Sequence, residues 1–332
     1  MSDILISVVI PTRNHKPLIT RLLRSITSQS ISPSRYEIIV VDDGSTDGTQ
    51  EFLREAKFPC ALEVLHGDRV GPPRARNRGA ERARASIVAF MDDDVVLRGD
   101  CFERAVRYFD DPSVGVVETN LLIEGSDRPL QREASAQGFV TAAIFFRKDS
   151  LAAIDGFDPD FFDPATGNFF RDDSDLGFRV VKAGYKTLKP DDVVAWHPVL
   201  FPTVKSSFAH ARRYMFDPLL YRKHPKLFRR YVERKKVGPF SFGRPMHYSC
   251  LLYLLCLVAA IVALAMNWPW IALAGVIFAA VFLTLVRYKF QGSGAVRIWR
   301  VKETLAYGVL PFWYVYWFLR GCMKFGGWKA IL

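Results

Sequence analysis

Three consecutive carboxylates, Asp92 to Asp94, directly follow an apolar run at 86–91 that is typical of a buried strand. Adjacent carboxylates repel one another unless a positive charge lies between them. A hard divalent metal, with oxygen ligands from the protein and a phosphate on its far side, is the common solution. An isolated acidic triplet would instead indicate a solvated turn. A second acidic strand end at 42–43 and a third acidic group at 172–175 favour the metal and phosphate interpretation.

The elements that must position these acids are strands and helices in alternation. The predicted strands cover 7–10, 37–41, 62–65 and 87–91, and the predicted helices cover 17–29, 46–55 and 74–83. Continuous apolar strands between helices indicate an α/β fold, with a mostly parallel sheet covered on both faces. Ligands of such sheets bind beyond the carboxyl ends of the strands. Polar residues occupy these ends at 11–14, 42–45 and 92–94, on the same edge.

Two common nucleotide-binding classes lack their motifs in this chain. No Gly-x-Gly-x-x-Gly follows the first strand, which disfavours a dinucleotide redox enzyme, and no Gly-x-x-x-x-Gly-Lys-Ser/Thr is present, which argues against a P-loop. The stretch 43–48 begins like an EF-hand loop. Its twelfth position is Arg54, where that loop requires a bidentate Glu, and a strand precedes it, so a calcium loop is excluded.

Five motifs follow one another along the chain. They are SVVIPTRN at 7–14, VDDGSTD at 41–47, ARNRGA at 75–80, FMDDD at 90–94 and RDDSDLGFR at 171–179. Together they resemble family 2 inverting glycosyltransferases of the GT-A fold, over about residues 5–197. The resemblance implies a Rossmann-like catalytic domain and an enzyme that transfers a sugar from a nucleoside diphosphate donor.

The resemblance also implies which residues hold the nucleoside. In this family the residues after the first strand contact it, so Pro11, Thr12 and Asn14 are expected at the base and ribose. Asp43 is expected to accept the imide N–H of uracil or thymine, which favours a UDP or dTDP sugar. A neutral amide could accept the same bond, so the aspartate alone leaves the base open.

Four further residues are implied around the ribose, sugar and diphosphate. Arg76 and Asn77 are expected to approach the base and the diphosphate, and Asp92 and Asp93 complete the nucleotide set near the ribose or sugar. Arg76 has a structural alternative, because it lies in an Arg-rich helical segment where one face could simply be solvated.

The metal is expected at the end of the acidic triplet. By the resemblance Asp94 binds Mg²⁺ or Mn²⁺, which bridges the diphosphate and neutralises charge as that group departs. His197, in the stretch Ala-Trp-His-Pro, lies where many relatives carry a His that also approaches the metal or diphosphate. A lone His is more often structural, so both interpretations of His197 stay open.

The third acidic group is expected to supply the catalytic base. Inverting transfer needs one carboxylate to remove the acceptor hydroxyl proton while that oxygen attacks the anomeric carbon. The family uses the Asp of a Glu-Asp pair, and here the pair is Asp172-Asp173, which assigns the base to Asp173. Asp175 is the alternative, and Asp172, Asp175 and Arg179 are otherwise expected to support the site. Three acids at a helix N-terminus are also stabilised by the helix dipole, whatever their role.

Sugar and acceptor recognition are less closely matched to the family. The loop 138–143 takes the place of a Gly-Asn segment that meets the donor sugar, and Thr141 would substitute for that Asn. Residues 156–162 and the aromatics at 169–170 are expected to form the acceptor-side wall, although packing alone would explain most of them. The Gln-x-x-Arg-Trp motif of processive synthases is absent, since no Gln occurs in 138–290, which favours a single addition.

The formal net charge of +11 is distributed unevenly. Residues 201–332 contain 20 Lys and Arg against 3 Asp and Glu, a balance of +17, whereas residues 1–200 contain 25 against 31, a balance of −6. The basic excess is therefore expected to face an anionic surface. Long apolar runs in the same part of the chain favour membrane lipid, and a nucleic acid partner is disfavoured.

Two of these apolar runs are candidate membrane spans, at about 247–266 and 270–286. The first has roughly the 20 residues that cross a bilayer. The second begins with Trp268 and Trp270, where an aromatic belt would lie, and is followed by basic residues. The uncharged link at 267–269, between basic outer flanks, predicts a helical hairpin with both flanks in the cytoplasm.

A third apolar segment, at about 304–319, contains Pro311 and is rich in Trp and Tyr, so it is expected to lie in the cytoplasmic leaflet rather than to span. The predicted regions are a GT-A catalytic domain at 1–200, a basic amphipathic interfacial collar at 201–245 and a membrane region at 246–332. The expected location is the cell membrane, with a cytoplasmic catalytic domain. The apolar run at 4–10 is too short for a secretory leader.

These inferences combine into a membrane-associated inverting glycosyltransferase of cell envelope glycan biosynthesis, which adds one sugar to a lipid-linked or membrane-proximal glycan. Its expected partners are the nucleotide sugar, that acceptor and anionic lipids, and its expected cofactor is Mg²⁺ or Mn²⁺. A polyprenyl-phosphate sugar synthase is the nearest alternative, because its phosphate acceptor needs little base assistance. A catalytically silent nucleotide-binding scaffold is disfavoured by the presence of Asp94 and Asp173. The donor sugar, linkage and acceptor stay open.

Overall fold

The computed structural model of the chain describes residues 4–126, 139–198, 203–232, 235–237, 240–242, 245–278 and 301–331. The chain divides into two compact units, Met1–Val199 and Leu200–Leu332. The predicted division into a catalytic domain, a collar and a membrane region, with boundaries at 200 and 245, stays a prediction.

The first unit contains twelve strands and six helices among its described residues. The strands are β1 (Ile6–Thr12), β2 (Tyr36–Asp42), β3 (Ala61–His66), β4 (Ile87–Met91), β5 (Val96–Leu97), β6 (Val114–Glu118), β7 (Asn120–Ile123), β8 (Ala143–Arg147), β9 (Phe162–Asp163), β10 (Asn168–Phe169), β11 (Lys186–Leu188) and β12 (Val194–His197). The helices are α1 (Lys16–Thr27), α2 (Thr49–Glu55), α3 (Pro72–Arg82), α4 (Cys101–Arg107), α5 (Lys148–Ala152) and α6 (Asp172–Lys182).

The main sheet has seven strands in the order β11-β6-β8-β4-β1-β2-β3. Strand β8 runs antiparallel to both of its neighbours, and the other pairs are parallel. The predicted α/β fold with a mostly parallel sheet is therefore confirmed. Because β1, β2 and β4 are parallel, their carboxyl ends lie at one edge of the sheet, where the polar residues were expected to meet.

Each central strand is buried on both sides because its apolar side chains alternate between two cores. In β1, Val8 and Ile10 belong to one core and Val9 to the other. Helix α1 covers the first core with Ile19, Leu22, Leu23 and Ile26, a spacing that puts all four on one helix face. Leu176 and Val180 of α6 pack into the second core.

All seven predicted strands and helices are present, six of them with bounds within two residues of the prediction and one with a start that differs by three. The helix expected over 46–55 begins at Thr49. Gly48 adopts a left-handed conformation with φ of +86°, and the backbone N–H of Thr46 donates to Asn14 Oδ1 at 2.7 Å. Residues 46–48 therefore form a loop that is hydrogen-bonded to Asn14, just beyond the end of β1. Local helix propensity does not predict such a contact.

Two small sheets complete the edge where the polar strand ends meet. In the sheet β5-β12-β7, β12 is antiparallel to β5, which begins two residues after Asp94. This pairing brings His197, the last residue of β12, beside the acidic triplet. The hairpin formed by β9 and β10 lies at the same edge.

The second unit is mainly helical in its described part. Its elements are α7 (Val204–Arg213), α8 (Asp217–Lys223), α9 (Pro225–Tyr231), β13 (Lys235–Val237), β14 (Phe240–Phe242), α10 (Pro245–Ala265), α11 (Pro269–Phe278) and α12 (Val301–Phe325). One face of α12 is buried within the unit. There the ring of Tyr314 lies 4.7 Å from that of Tyr214, and its hydroxyl lies 3.3 Å from His247 Nδ1.

One helix in the described part of the chain is long and apolar enough to cross a membrane. It is the stretch His247–Ala265 of α10, with 19 residues and a mean hydropathy of 2.5, of which 22% is buried. Helix α11 is shorter than a span. The rest of the predicted second span, 279–286, lies outside the described residues, so the membrane hairpin stays a prediction.

Candidate functional site

A cavity of about 290 Å³ opens at the carboxyl ends of β1, β2 and β4. Most of the predicted nucleotide residues line it, and these are Pro11, Thr12, Asp43, Arg76, Asp92 and Asp93. Asp94 lines it too. Asn14, Asn77, His197 and the residues of α6 are not among its lining residues. The hairpin β9–β10 contributes Phe162, Gly167 and Phe169 to the opposite wall.

On the β1 side of the cavity, Asp93 contacts both Thr12 and His15. Thr12 Oγ1 donates to one of its carboxylate oxygens at 2.7 Å, and His15 Nδ1 lies 3.0 Å from the same oxygen. The hydrogen bond to Asp93 raises the pKa of His15, against the opposing effect of partial burial. His15 was not predicted, although its position one residue beyond the first motif placed it on the same sheet edge. It adds a half-exposed imidazole, whose protonated form Asp93 favours, to an acidic cavity.

Asn14 connects two loops and does not reach the cavity wall. It adopts a left-handed backbone with φ of 56°, which Asn tolerates better than most residues. Its N–H donates to Ser45 Oγ at 2.9 Å, while its side-chain oxygen accepts from the N–H of Thr46. In this arrangement Asn14 holds the loop after β2, and its expected contact to the nucleoside stays a prediction.

Asp43 is held in one orientation by the loop that precedes α3. Its two carboxylate oxygens accept from the backbone N–H groups of Val70, at 2.7 Å, and Gly71, at 2.9 Å. A Cβ at Gly67 would lie 2.6 Å from Asp43 Oδ1, so only glycine fits there without displacing the carboxylate. Each carboxylate oxygen keeps a second lone pair for another donor.

Arg76 has a different set of partners from the one expected. Its guanidinium donates to Asp92 Oδ1 at 2.7 Å and to Asp172 Oδ2 at 3.0 Å. Burial opposes the charge on Arg76, but these two carboxylates outweigh it and raise its pKa. Burial also raises the pKa of Asp172 to about 6, with Arg76 opposing the shift. Both groups are therefore charged at neutral pH, as a buried pair.

Asn77 is engaged away from the cavity. Its side-chain amide donates to the carbonyl of Phe157 at 2.7 Å and accepts from the N–H of the same residue at 2.8 Å. Gly156 leaves room for this contact, since a Cβ there would lie 2.6 Å from Asn77 Oδ1. Asn77 thus fixes the turn at 154–157, and its expected approach to the base and the diphosphate stays a prediction.

Asp94 and His197 face each other at the far side of the cavity. His197 Nε2 lies 3.3 Å from Asp94 Oδ2, and its Nδ1 lies 2.9 Å from the carbonyl of Pro198. A carbonyl only accepts, so Nδ1 carries the hydrogen, and in a neutral ring the Nε2 lone pair then points at the carboxylate. Adjacent ligands of an octahedral Mg²⁺ lie about 3 Å apart, so this pair could hold such a cation.

No group of three or more His, Cys, Asp or Glu with metal-binding geometry occurs within the described ranges. A cation at Asp94 and His197 would need its remaining ligands from a bound phosphate or from water. That arrangement is ordinary for Mg²⁺, which is often bound by one or two protein ligands plus substrate phosphates.

The acids of α6 differ in burial and in partners. Asp172 is buried against Arg76, and Asp175 is buried against Arg179, whose Nε lies 2.8 Å from Asp175 Oδ2. Asp173 lies between them in the chain and is half-buried, with Oδ1 accepting from the N–H of Ser174 at 2.7 Å. Asp173 is thus the acid of this turn with the greatest access to solvent.

The expected acceptor wall is mostly core. Phe157 packs edge-on against Phe90 with ring centroids 5.0 Å apart, and Phe161 is fully buried. Phe162 instead lines the cavity beside Gly71, where a Cβ would lie 2.5 Å from its ring. Thr141 is buried, and the start of its loop at 138 lies outside the described residues.

Comparison with known proteins identifies the family. Residues 7–176 match the model of glycosyl transferase family 2, which is just over half of the chain. The chain belongs to this family. The predicted identification as a glycosyltransferase is thereby confirmed, and the family 2 motifs account for the acids at the carboxyl edge of the sheet.

Curated relatives match about a third of the chain. Glycosyltransferase AglE of Haloferax volcanii is 38% identical over 120 residues, which is 35% of this chain and 39% of AglE. Poly(ribitol-phosphate) beta-N-acetylglucosaminyltransferase TarS of Staphylococcus aureus is 32% identical over 107 residues, 32% of this chain and 19% of TarS. The chain therefore spans well under half the length of these relatives.

Solved structures show the same fold at low sequence identity. Mannosyltransferase PcManGT from Pyrobaculum calidifontis, in complex with GDP-Man and Mn²⁺, superposes with a TM-score of 0.54 at 22% identity, over 98% of this chain and 85% of that one. TarS residues 1–349 of S. aureus with UDP-GlcNAc gives a TM-score of 0.52 at 18% identity, over 69% of this chain and 74% of that one.

Proposed function

We propose that this family 2 enzyme transfers one sugar, with inversion, from a nucleoside diphosphate sugar to a lipid-linked or membrane-proximal glycan. The observation that carries the proposal is one cavity with Asp43 on one wall and Asp92 to Asp94 on another. A nucleoside diphosphate sugar is complementary to this cavity, because its base presents an N–H donor for Asp43 and its diphosphate carries a negative charge that a bound cation would balance. Solved relatives with UDP-GlcNAc and with GDP-Man support this donor class.

A uracil or thymine base is favoured over guanine. Uracil and thymine present one imide N–H, which the remaining lone pairs of Asp43 can accept while both oxygens keep their backbone donors. Guanine presents two neighbouring donors and would use the remaining lone pairs of both oxygens, so the preference for a single imide N–H rests on the resemblance of the Asp-Asp-Gly-Ser motif to the family. UDP or dTDP sugars are therefore the preferred candidates.

Asp94 and His197 would hold a Mg²⁺ or Mn²⁺ ion, which supplies Lewis-acid stabilisation of charge on the departing diphosphate. The fit rests on the 3.3 Å separation of their facing atoms. His15, held by Asp93, adds an imidazole at the same cavity, where it can donate to the diphosphate or the sugar.

The base of the reaction is Asp173. The acceptor oxygen forms a bond to the anomeric carbon as the bond from that carbon to the diphosphate oxygen breaks, and the hydroxyl proton passes to the carboxylate. Asp173 suits this role because it is half-buried, whereas Asp172 and Asp175 are buried against arginines. The hydrogen bond from the Ser174 N–H keeps the carboxylate oriented.

The second unit provides the membrane attachment, at the cell membrane and with the catalytic domain in the cytoplasm. Helix α10 has the length and hydropathy of a span. Helix α12 exposes an apolar stripe at alternating intervals of three and four residues, consisting of Val309, Phe312, Tyr316, Leu319 and Met323. Such a stripe lies on one helix face, and basic side chains follow it, as in helices that lie along an anionic bilayer surface.

Activity on a panel of donors tests the transferase proposal. The full-length chain in membranes is incubated with lipid extract, Mn²⁺ and UDP, dTDP or GDP sugars, and lipid products are separated by charge and mass. We expect one sugar to be added from a UDP or dTDP donor. A product with a single sugar on a polyprenyl monophosphate would establish the synthase alternative, and binding without any product would establish the scaffold alternative.

Extraction behaviour tests the membrane proposal. We expect the full-length chain to stay in the membrane pellet in high salt and in alkaline carbonate, because α10 is held by its apolar surface and not by charge alone. Phase partition and sedimentation measure this directly. Release by salt would show that only the basic residues hold the protein, and the spanning role of α10 would be abandoned.

A further inference from the structure

Arg76 connects two acidic segments that are distant in the chain. Its guanidinium joins Asp92, at the start of the acidic triplet, to Asp172, the first residue of α6, at 2.7 and 3.0 Å. The arginine side chain is 5% exposed. We propose that Arg76 is a positioning residue that fixes the first turn of α6, and with it Asp173, relative to the cavity loop 92–94. The proposal rests on the proposed function, in which Asp173 is the base.

The contacts observed for Arg76 fix its guanidinium between protein groups. Both terminal nitrogens donate to carboxylates, and Nε is buried with no hydrogen-bond acceptor among the described residues. The guanidinium also lies over the ring of Phe157, 5.2 Å from its centroid. A guanidinium has five N–H donors, so a contact to the donor would add to the two ion pairs and would not replace the link that they make between Asp92 and Asp172.

The first turn of α6 depends on this contact. Arg171 occupies the N-cap position with a left-handed backbone, φ 70°, and makes no side-chain cap, while the N–H of Ser174 is satisfied within the turn by Asp173 Oδ1. The same turn is also attached through Asp175, because Arg179 binds that carboxylate and donates to the carbonyl of Gly156 at 2.7 Å. Arg76 therefore links the first turn of α6 to the acidic loop at the cavity, whereas Arg179 links it to the carbonyl of Gly156.

The conservative variant Arg76→Lys separates positioning from charge. Lysine keeps the positive charge but has no planar fork, so one ammonium cannot hold both carboxylates in the same geometry. We expect kcat to fall by about 10–100-fold, because small displacements of a catalytic group have effects of that size. The KM for the donor should stay within about threefold, since the donor contacts remain. Arg74→Lys, on an exposed position of the same helix, is the matched control and should behave as the wild type.

The kinetic outcomes discriminate between roles of Arg76. A rise in donor KM with unchanged kcat would show that Arg76 binds the donor, and unchanged values of both would show that the fork is dispensable. Either result overturns the proposal. Nucleotide affinity, measured by calorimetry on the same variants, checks the KM values independently.

A double variant distinguishes the loss of positioning from the loss of stability. Arg76→Met leaves the buried Asp172 without its cation, so its carboxyl must bind a proton or stay as an unpaired charge, and both outcomes are expected to lower the thermal midpoint. Arg76→Met with Asp172→Asn removes both charges, so the midpoint should recover while kcat stays low. Recovery of kcat together with the midpoint would mean that Arg76 only neutralises Asp172, and the positioning role would be lost.

A measurement without turnover keeps this proposal separate from the proposed function. In hydrogen–deuterium exchange of the full, ligand-free chain, Arg76→Lys should accelerate exchange of the first-turn amides of α6, and Arg74→Lys should not. Unchanged exchange in Arg76→Lys overturns the coupling. If the wild-type chain transfers no sugar from any donor, the proposed function fails, and the exchange result still decides whether Arg76 fixes α6.

Discussion

Replacement of Asp173 by Asn is expected to lower kcat for sugar transfer by about 10²–10⁴-fold, the usual contribution of a general base. The amide has nearly the same shape but cannot take up the acceptor proton. Nucleotide binding should persist, because Asp173 is outside the cavity wall formed by the donor residues. Single-turnover kinetics and calorimetry with the nucleoside diphosphate measure the two effects separately. Asp149→Asn, at an exposed position of α5, serves as the control.

Near-normal turnover in Asp173→Asn would contradict the assignment of the base. Asp175 is a poor substitute, because its carboxylate is buried and bound to Arg179 at 2.8 Å. The result would therefore favour a phosphate acceptor, whose oxygen is already ionised and needs little base assistance. The polyprenyl-phosphate sugar synthase alternative would then replace the glycan acceptor.

Asp94→Ala is expected to abolish the dependence of donor binding on divalent metal. The remaining carboxylates of the cavity would repel the diphosphate, since the proposed cation would have lost one of its two protein ligands. Affinity for UDP in Mn²⁺ should fall by about 10²-fold or more, to the value found in chelator. Titration calorimetry of the wild type and the variant, each with Mn²⁺ and with chelator, gives the comparison.

His197→Gln is a milder change at the same proposed metal site, for comparison with Asp94→Ala. Gln keeps a polar side chain at the end of β12 but presents an amide oxygen where the imidazole nitrogen faced Asp94. Metal-dependent affinity should weaken and not vanish. Equal UDP affinity with and without Mn²⁺ in the wild type itself would show that no metal takes part, and the role of both residues would have to be withdrawn.

The sheet edge was predictable because strand order and direction determine it. Apolar runs that are buried on both faces form parallel sheets, and the residues that follow them meet at one edge whatever their side chains do. Asp43 and Asp92 to Asp94 therefore line the cavity as expected. The family motifs added the assignment of chemical roles, which the strand pattern alone does not contain.

The choice of side-chain partners was not predictable in the same way. Motif spacing located Arg76, Asn77 and Asn14 near the cavity, but it does not state which polar groups satisfy them. Arg76 is bound to two carboxylates, Asn77 to the backbone of a turn, and Asn14 to the loop after β2. His15 was missed for the converse reason, because a single histidine carries no spacing signal.

The loop that clamps Asp43 has a consequence for how base preference can change. The donors that orient this carboxylate are peptide groups of Val70 and Gly71, and the nearby Gly67 admits no side chain. The acceptor for the base is thus already in place in the folded protein, with little reorganisation left for the moment of binding. Point substitutions around Asp43 should damage recognition more readily than redirect it. A new base preference would instead require exchange of the whole segment between β3 and α3.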